Sequence, residues 1–321
     1  MAWVFKQGWN RQRVKSVFGT HEQCIQWAEE HDLLPTSKLC PKHRSPCELR
    51  TDNSTYGIFR CHKPHKSGSK SHWSRAEGTW FENVKVPLPI LFQLMYSFAV
   101  QAKVEDVMRE CCDVKSAEPT VLSSKTIAEW YNFCLEVIVS HQLEKEQEAG
   151  LIGGRDTVVQ VDESKFGKRK YNKGRRVEGH WVLGMIQDSS EDVRLEMCPD
   201  NVGSTNTLLP LIEKHIAKGT TVCTDYWRAY DCLGQNGYIH KKVNHSDPNK
   251  PWINPEGFHT QRIESTWRVV KQHFNGRHIP KEAFADHLVG YQWFRRCKKN
   301  NIDLFEELLV AVREFFGTQP L

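Results

Sequence analysis

Residues 155–321 are predicted to form an α/β fold: a mixed five-stranded sheet flanked by helices. A Cys/His-rich module and an all-helical module precede it. Three observations predict this. The apolar, β-branched runs Val158-Val-Gln-Val161 and Thr221-Val-Cys-Thr224 each stop at an acid, Asp162 and Asp225. Between and after them, strand-like and helix-like periodicities alternate. Before residue 150 the patterns are helical, apart from one segment where cysteines and histidines come in spaced pairs.

Residues 1–37 read as a lead-in containing one helix, His21–His31, with Thr20 placed to cap it. Residues 38–86 form the Cys/His module. Cys40-Pro-Lys-His43 and Cys61-His-Lys-Pro-His65 are two knuckles, about twenty residues apart, that would clamp one tetrahedral zinc ion as a zinc ribbon does. Cys47, His62 and His72 are alternate ligands. Tyr56–Arg60 alternates like a strand leading into the second knuckle. Residues 38–75 carry nine basic and two acidic side chains, a cationic face suited to phosphates.

Residues 87–150 read as helices. Pro87–Val100 is apolar enough to be buried, and Lys103–Cys112 spaces Val104, Val107 and Met108 helically. Lys125–Ser140, capped by Ser123 or Ser124, aligns Ile127, Trp130, Tyr131, Cys134 and Val137. Three such helices suit a helix-turn-helix unit, and a plain helical bundle gives the same pattern. The polar stretch 143–154 is the expected boundary.

Beyond it, Thr157–Asp162 is the first strand, and Lys165–Arg176 a turn with seven positive and no negative side chains. Gly179–Gln187 and Val193–Cys198 are strands two and three. A helix from Ser204 or Thr205 to Ala217 carries Leu208, Leu209, Leu211, Ile212 and Ile216. Thr220–Thr224 is strand four, Tyr226–Leu233 a short helix, and Gly237–Val243 strand five. A Pro/Asn-rich loop then leads to the helix His259–Phe274, and helical patterns fill 281–316. This order matches the ribonuclease-H-like fold, which gathers carboxylates from strand one, the end of strand four and the helix after strand five.

The net charge of +5 is modest, so its distribution matters more. Residues 1–86 hold 14 basic and 8 acidic side chains, whereas 101–150 hold 5 and 10. A basic N-terminal region suits a polyanionic partner. The start lacks the apolar run of a secretory signal, and no uninterrupted apolar run is long enough to span a membrane. The eleven cysteines are therefore expected to be reduced, in the cytosol or nucleus.

Asp162 closes a run apolar enough to be buried on both faces, where a carboxylate needs a cation or a donor. Strand alternation turns the adjacent Glu163 to the opposite face, so Asp162 is the expected ligand. Asp225 ends strand four in the same way and also suits the N-cap of Tyr226–Leu233. On the helix His259–Phe274, Ile263, Thr266, Trp267, Val270 and Phe274 form the buried stripe. Thr260, Glu264, Arg268 and Lys271 fall on a polar face, where Glu264 could equally make a plain ion pair with Arg268. Hard carboxylates far apart in sequence are what a site for two Mg²⁺ or Mn²⁺ ions, roughly 3.5–4 Å apart, requires.

The segments Val-Asp-Glu-Ser-Lys-Phe-Gly-Lys-Arg-Lys at 161–170, Thr-Asp-Tyr-Trp-Arg-Ala-Tyr at 224–230, Val-Asn-His-Ser at 243–246 and Gly-Phe-His-Thr-Gln-Arg-Ile-Glu-Ser-Thr-Trp-Arg at 257–268 resemble the Merlin superfamily of eukaryotic DDE transposases and its bacterial insertion-sequence relatives. Upstream, the Cys-Pro knuckle, Arg-Ala-Glu-Gly-Thr-Trp-Phe at 75–81 and residues 124–134 extend the resemblance over roughly 38–316. It implies a metal-binding triad of Asp162, Asp225 and Glu264 that cuts double-stranded DNA at terminal inverted repeats and joins the ends to target DNA. It also implies at least a homodimer, since two ends are processed together, and a nuclear location. In similar proteins the ribbon usually has four cysteines, from which His43 and His65 depart. Lys165, Lys168, Arg169, Lys170, Arg268 and Lys271 are the expected phosphate contacts. The alternative functions are a transposase-derived DNA-binding protein without turnover and, less in keeping with the upstream modules, a ribonuclease or resolvase.

Overall fold

The computed structural model describes residues 8–52, 54–111, 122–167, 179–190, 192–201, 204–248, 252–277 and 279–317. The chain divides into two compact units, residues 1–141 with 297–321, and residues 142–296.

In the first unit, α1 (Arg11–Val17) is followed by α2 (His21–Glu30), whose capping box pairs the Thr20 side chain with the Gln23 N–H and the Gln23 side chain with the Thr20 N–H. Three short strands, β1 (Glu48–Arg50), β2 (Ile58–Arg60) and β3 (His72–Ser74), form an antiparallel sheet in that order. The helices α3 (Leu88–Ala99), α4 (Val104–Cys111) and the start of α5 (Ser124–Ala149) share a core of Leu94, Val107, Cys111, Leu122 and Ile127. Ser123 caps α5 by accepting the Thr126 N–H at 3.0 Å. The polar boundary expected at 143–154 is in fact helical to Ala149, because Glu, Lys, Gln and Ala favour the helix when solvated. The connection between the second and third helices, 112–121, lies outside the described residues.

The second unit holds the predicted sheet. Its strands are β5 (Val158–Phe166), β6 (His180–Gln187), β7 (Val193–Met197), β9 (Thr221–Thr224) and β10 (Ile239–Lys242), and a two-residue pair, β4 (Ile152–Gly153) with β8 (Ile216–Ala217), flanks them. The order is β10-β9-β5-β6-β7. β6 runs antiparallel to both neighbours, and β5, β9 and β10 are parallel. One face packs Val159, Val161, Leu183 and Met185 against Leu208 and Ile212 of α6 (Thr205–His215). The other packs Val182, Ile186 and Leu195 against Ile263, Trp267 and Val270 of α7 (Gln261–Phe274) and Leu288 of α8 (Phe284–Lys299). The last helix, α9 (Leu304–Phe316), packs within the first unit, where Phe305 meets the rings of Trp9 and Phe18.

Two further expectations change. Strand one does not end at Asp162: its ladder with β6 runs on to Phe166↔His180, so Lys165 belongs to the strand and not to a turn. The short helix at 226–233 is instead two 3-10 turns, Arg228–Tyr230 and Leu233–Asn236. Among the described residues, no helix is long and apolar enough to cross a membrane.

Candidate functional site

Asp162 and Asp225 meet because their strands are parallel neighbours. β5 pairs with β9 through Gln160↔Cys223, and β9 stops at Thr224. Asp225 therefore lies level with Asp162, past the last paired residue. The same stop leaves β5 without a strand on that side at 162–163. Carboxylates from both faces of β5 can then lean toward Asp225. Oxygens of Asp162, Glu163 and Asp225 lie within 4.8 Å of one another. Alternation does send Asp162 toward α7 and Glu163 toward the opposite layer, but it does not remove Glu163 from the cluster. Asp162 Oδ2 accepts the Trp267 indole N–H at 2.9 Å, and Glu163 Oε2 accepts the Tyr230 hydroxyl at 2.5 Å. Asp225 Oδ1 accepts the Trp227 N–H at 2.9 Å, which fixes the turn that follows it.

This crowding sets the electrostatics. Burial pushes the Asp162 carboxyl up to about 6, with the charges of Asp225 and Glu264 adding to the shift and the Trp267 N–H opposing it. Burial likewise pushes Glu163 up to about 7, aided by Asp162 and Asp225 and opposed by the Tyr230 hydroxyl. Half-buried carboxylates gathered so closely make a donor set suited to a hard divalent cation.

The carboxylate of Glu264 lies outside that trio. Its Oε1 accepts the Thr260 hydroxyl at 2.8 Å and stands 3.4 Å from His245 Nε2. Its helix is nonetheless fastened to the site. The buried stripe of α7 is the predicted one, Ile263, Thr266, Trp267, Val270 and Phe274. The residue that starts α7 was not foreseen. Thr260 makes no side-chain cap; instead Gln160, fully buried on β5, accepts the N–H groups of Arg262 and Ile263 at 3.0 and 3.1 Å. Its amide also donates to Asp188 at 2.8 Å. A polar residue inside an apolar strand was the available signal, since it must find partners somewhere.

Trp267 reaches Asp162 only because Gly184, opposite Asp162 on β6, has no side chain. A Cβ there would stand 2.6 Å from the Trp267 ring and 3.0 Å from Ile263 Cδ1. Gly184→Ala is therefore expected to cost about 1–3 kcal/mol by overpacking. It should also lower the melting temperature and change the emission of Trp267, whereas an unchanged melting curve would show that α7 can shift freely.

In the first unit, Cys40, His43, Cys61 and His65 offer ligand atoms that all lie within 4.8 Å of one another. Cys40 Sγ is 3.6 Å from His43 Nδ1 and 3.7 Å from His65 Nε2, and His43 Nδ1 is 3.4 Å from Cys61 Sγ. A tetrahedral zinc with its usual Zn–S and Zn–N lengths would set such N–S separations at about 3.5 Å. The donor set thus fits the ion. Burial, with the nearby His65 and Lys42, keeps His43 below the usual histidine range and so in the neutral, ligating form. The alternate ligand Cys47 packs beside the cluster but is not part of it. His62 instead faces Glu48 at 3.1 Å.

Of the predicted phosphate contacts, Lys271 stands over the Phe166 ring at 5.8 Å and Lys165 over Trp181 at 5.6 Å. Arg268 lines a cavity of about 560 Å³ with Arg262, Ser265 and Arg295. Lys168, Arg169 and Lys170 lie outside the described residues.

Comparison with known proteins adds the family. The model of the ISXO2-like transposase domain matches residues 149–292. An uncharacterized transposase-like protein of Haemophilus influenzae is 33% identical over 111 residues, covering 32% of this chain and 83% of that protein. Among solved structures, the HTLV-2 integrase catalytic core domain in complex with magnesium, in its dimeric form, matches with a TM-score of 0.27 and 12% identity, over 45% of this chain and 87% of that one. The catalytic core domain of BIV integrase matches with a TM-score of 0.29 and 13% identity, over 49% and 96%. The motifs around Asp162, Asp225 and Glu264 all fall inside the matched segment, and the chain belongs to an insertion-sequence transposase family.

Proposed function

We propose that the protein is a DNA transposase that cuts at terminal inverted repeats and joins the ends to target DNA, with a ribonuclease-H-like catalytic unit. The observation that carries this reading is the meeting of Asp162 and Asp225 where β9 stops beside its parallel neighbour β5, next to a helix bearing Glu264 that Trp267 and Gln160 pin to β5. Asp162, Asp225 and Glu264 would hold two Mg²⁺ or Mn²⁺ ions. When bound, such ions stabilise both the attacking and the leaving oxygen of an in-line displacement at phosphorus. The chain's own residues orient the site. The Trp267 N–H holds Asp162 in one rotamer, and the Trp227 N–H holds Asp225. Lys165, Arg268 and Lys271 would engage backbone phosphates, which positions the duplex without reading its sequence.

Sequence recognition belongs, on this reading, to a zinc ribbon held by Cys40, His43, Cys61 and His65, and to a helix-turn-helix made by α3, α4 and α5. Two DNA ends processed together call for at least a homodimer. The position of Glu264, engaged by Thr260 and facing His245, favours a second reading, in which the chain binds DNA without turnover.

Nicking of a supercoiled plasmid in Mg²⁺ or Mn²⁺ separates the two. The transposase reading requires nicking by the wild type and none by Asp225→Asn; a wild type that binds DNA and never nicks it would leave only the second. Glu264→Gln should keep duplex affinity and lose cleavage, and lost binding would mark Glu264 as a structural acid. Lys271→Ala should weaken binding of all sequences alike and reduce the slope of log K against log salt by about 1. An unchanged slope would remove Lys271 from the interface.

A further inference from the structure

Resting on the two-cation reading of Asp162 and Asp225, we propose that Glu163 is a further carboxylate ligand of that site and that the buried Tyr230 hydroxyl positions it. The register of the sheet makes this possible. β9 ends before it can pair with residues 162–163, so the edge of β5 is open where Glu163 stands. Glu163 approaches Asp225 from one face of the sheet and Asp162 from the other, and all three offer oxygens within 4.8 Å. Oxygens supplied from both faces of one strand and the end of its neighbour can surround an ion in a way that a single face cannot.

Tyr230 gives the second, independent observation. It is 1% exposed, within the core formed by Val159, Val161 and Leu208, and its hydroxyl donates to Glu163 Oε2 at 2.5 Å. This bond occupies one carboxylate oxygen and leaves Oε1 for a cation. Ligating carboxylates are commonly held by such an outer hydrogen bond, which fixes their direction. The connection is also local. Asp225 opens the turn that the Trp227 N–H closes, and Tyr230 ends the 3-10 turn immediately after it. One six-residue segment, Asp225–Tyr230, thus supplies a ligand and the group that aims another. A phenol needing only an acceptor would be served by an amide oxygen. A charged carboxylate brought beside two more acids is costly unless a cation joins them.

The test measures Mn²⁺ affinity by the electron paramagnetic resonance signal of free Mn²⁺, with thermal unfolding of each cation-free variant alongside. Glu163→Gln keeps an acceptor for Tyr230 and removes the charge; it should weaken Mn²⁺ binding at least about tenfold with its melting temperature retained or raised. Tyr230→Phe should weaken binding by about 10–100-fold, the usual effect of losing an outer-shell partner. If Glu163→Gln binds Mn²⁺ like the wild type while Asp162→Asn does not, the proposal is overturned and the two-cation reading stands. If Asp162→Asn and Asp225→Asn also bind normally, that reading itself fails. Should Glu163→Gln not fold, Tyr230→Phe decides alone: lowered stability with unchanged Mn²⁺ affinity assigns the pair a purely structural role and overturns the proposal.

Discussion

Cys61→Ser should release one zinc ion per chain and unfold the small sheet of residues 38–75. Three strands of three residues each make a poor independent structure. The cluster around the ligands contains only Cys40, Cys61 and Trp73 as buried members, with Cys47 packed beside them. Segments this small rarely fold without a metal or disulfides, and no disulfide joins the described cysteines. Structural zinc contributes about 10–16 kcal/mol in comparable peptides at neutral pH, so losing one thiolate removes most of what holds the module together. Trp73 is the built-in reporter, with its ring 6.2 Å from that of His65. Metal analysis of the purified chain should give one zinc, and Cys61→Ser should give none and shift tryptophan emission to the red. The same shift should follow a strong chelator. A wild type that purifies without zinc, or a variant with unchanged near-ultraviolet dichroism, would show that the four side chains meet for another reason.

How much of this was legible in the sequence depends on the range of the signal. The buried stripe of α7 follows from one helix's own periodicity, and the structure reproduces all five positions. The succession of strands and helices along the chain follows from their alternating patterns, which are also local. What stayed hidden depended on partners far along the chain. Gln160 caps a helix about a hundred residues later, and nothing in the run Val158–Val161 says where its amide goes. Alternation alone sets Glu163 aside, because it describes one strand and is silent on where its neighbour stops. An acid ends the apolar run of strand one at Asp162, yet β6 continues the ladder for four more residues. Histidine in place of cysteine at positions 43 and 65 leaves the spacing unchanged, so the meeting of the four side chains is readable from the knuckles.

Asp162→Asn should abolish cleavage while making the cation-free protein more stable at pH 8. Asp162 has its carboxyl raised from 3.8 to about 6, and Glu163 from 4.5 to about 7, burial being the main cause in both. A raised carboxylate binds its proton more tightly in the folded state than in the unfolded one. Between about pH 4 and 7 the native chain therefore carries more protons, and stability falls as pH rises through that window. Each tenfold difference in proton affinity corresponds to about 1.4 kcal/mol, so the two acids together withhold several kcal/mol at pH 8. Asparagine removes one buried charge and still offers Trp267 an acceptor in place of Asp162 Oδ2, so the packing of α7 is preserved. The melting temperature of cation-free Asp162→Asn should exceed that of the wild type at pH 8 and converge with it below about pH 4, where Asp162 is protonated in both the folded and the unfolded chain. Mg²⁺ should raise the wild-type value, because it binds the folded, deprotonated form, and should leave the variant almost unmoved. Cleavage should fall at least about a thousandfold, since a cation contributes several kcal/mol of charge stabilisation and each 1.36 kcal/mol is tenfold in rate. A variant less stable than the wild type at pH 8, with Mg²⁺ still raising its melting temperature, would mean that Asp162 serves the Trp267 contact and that the cations bind elsewhere.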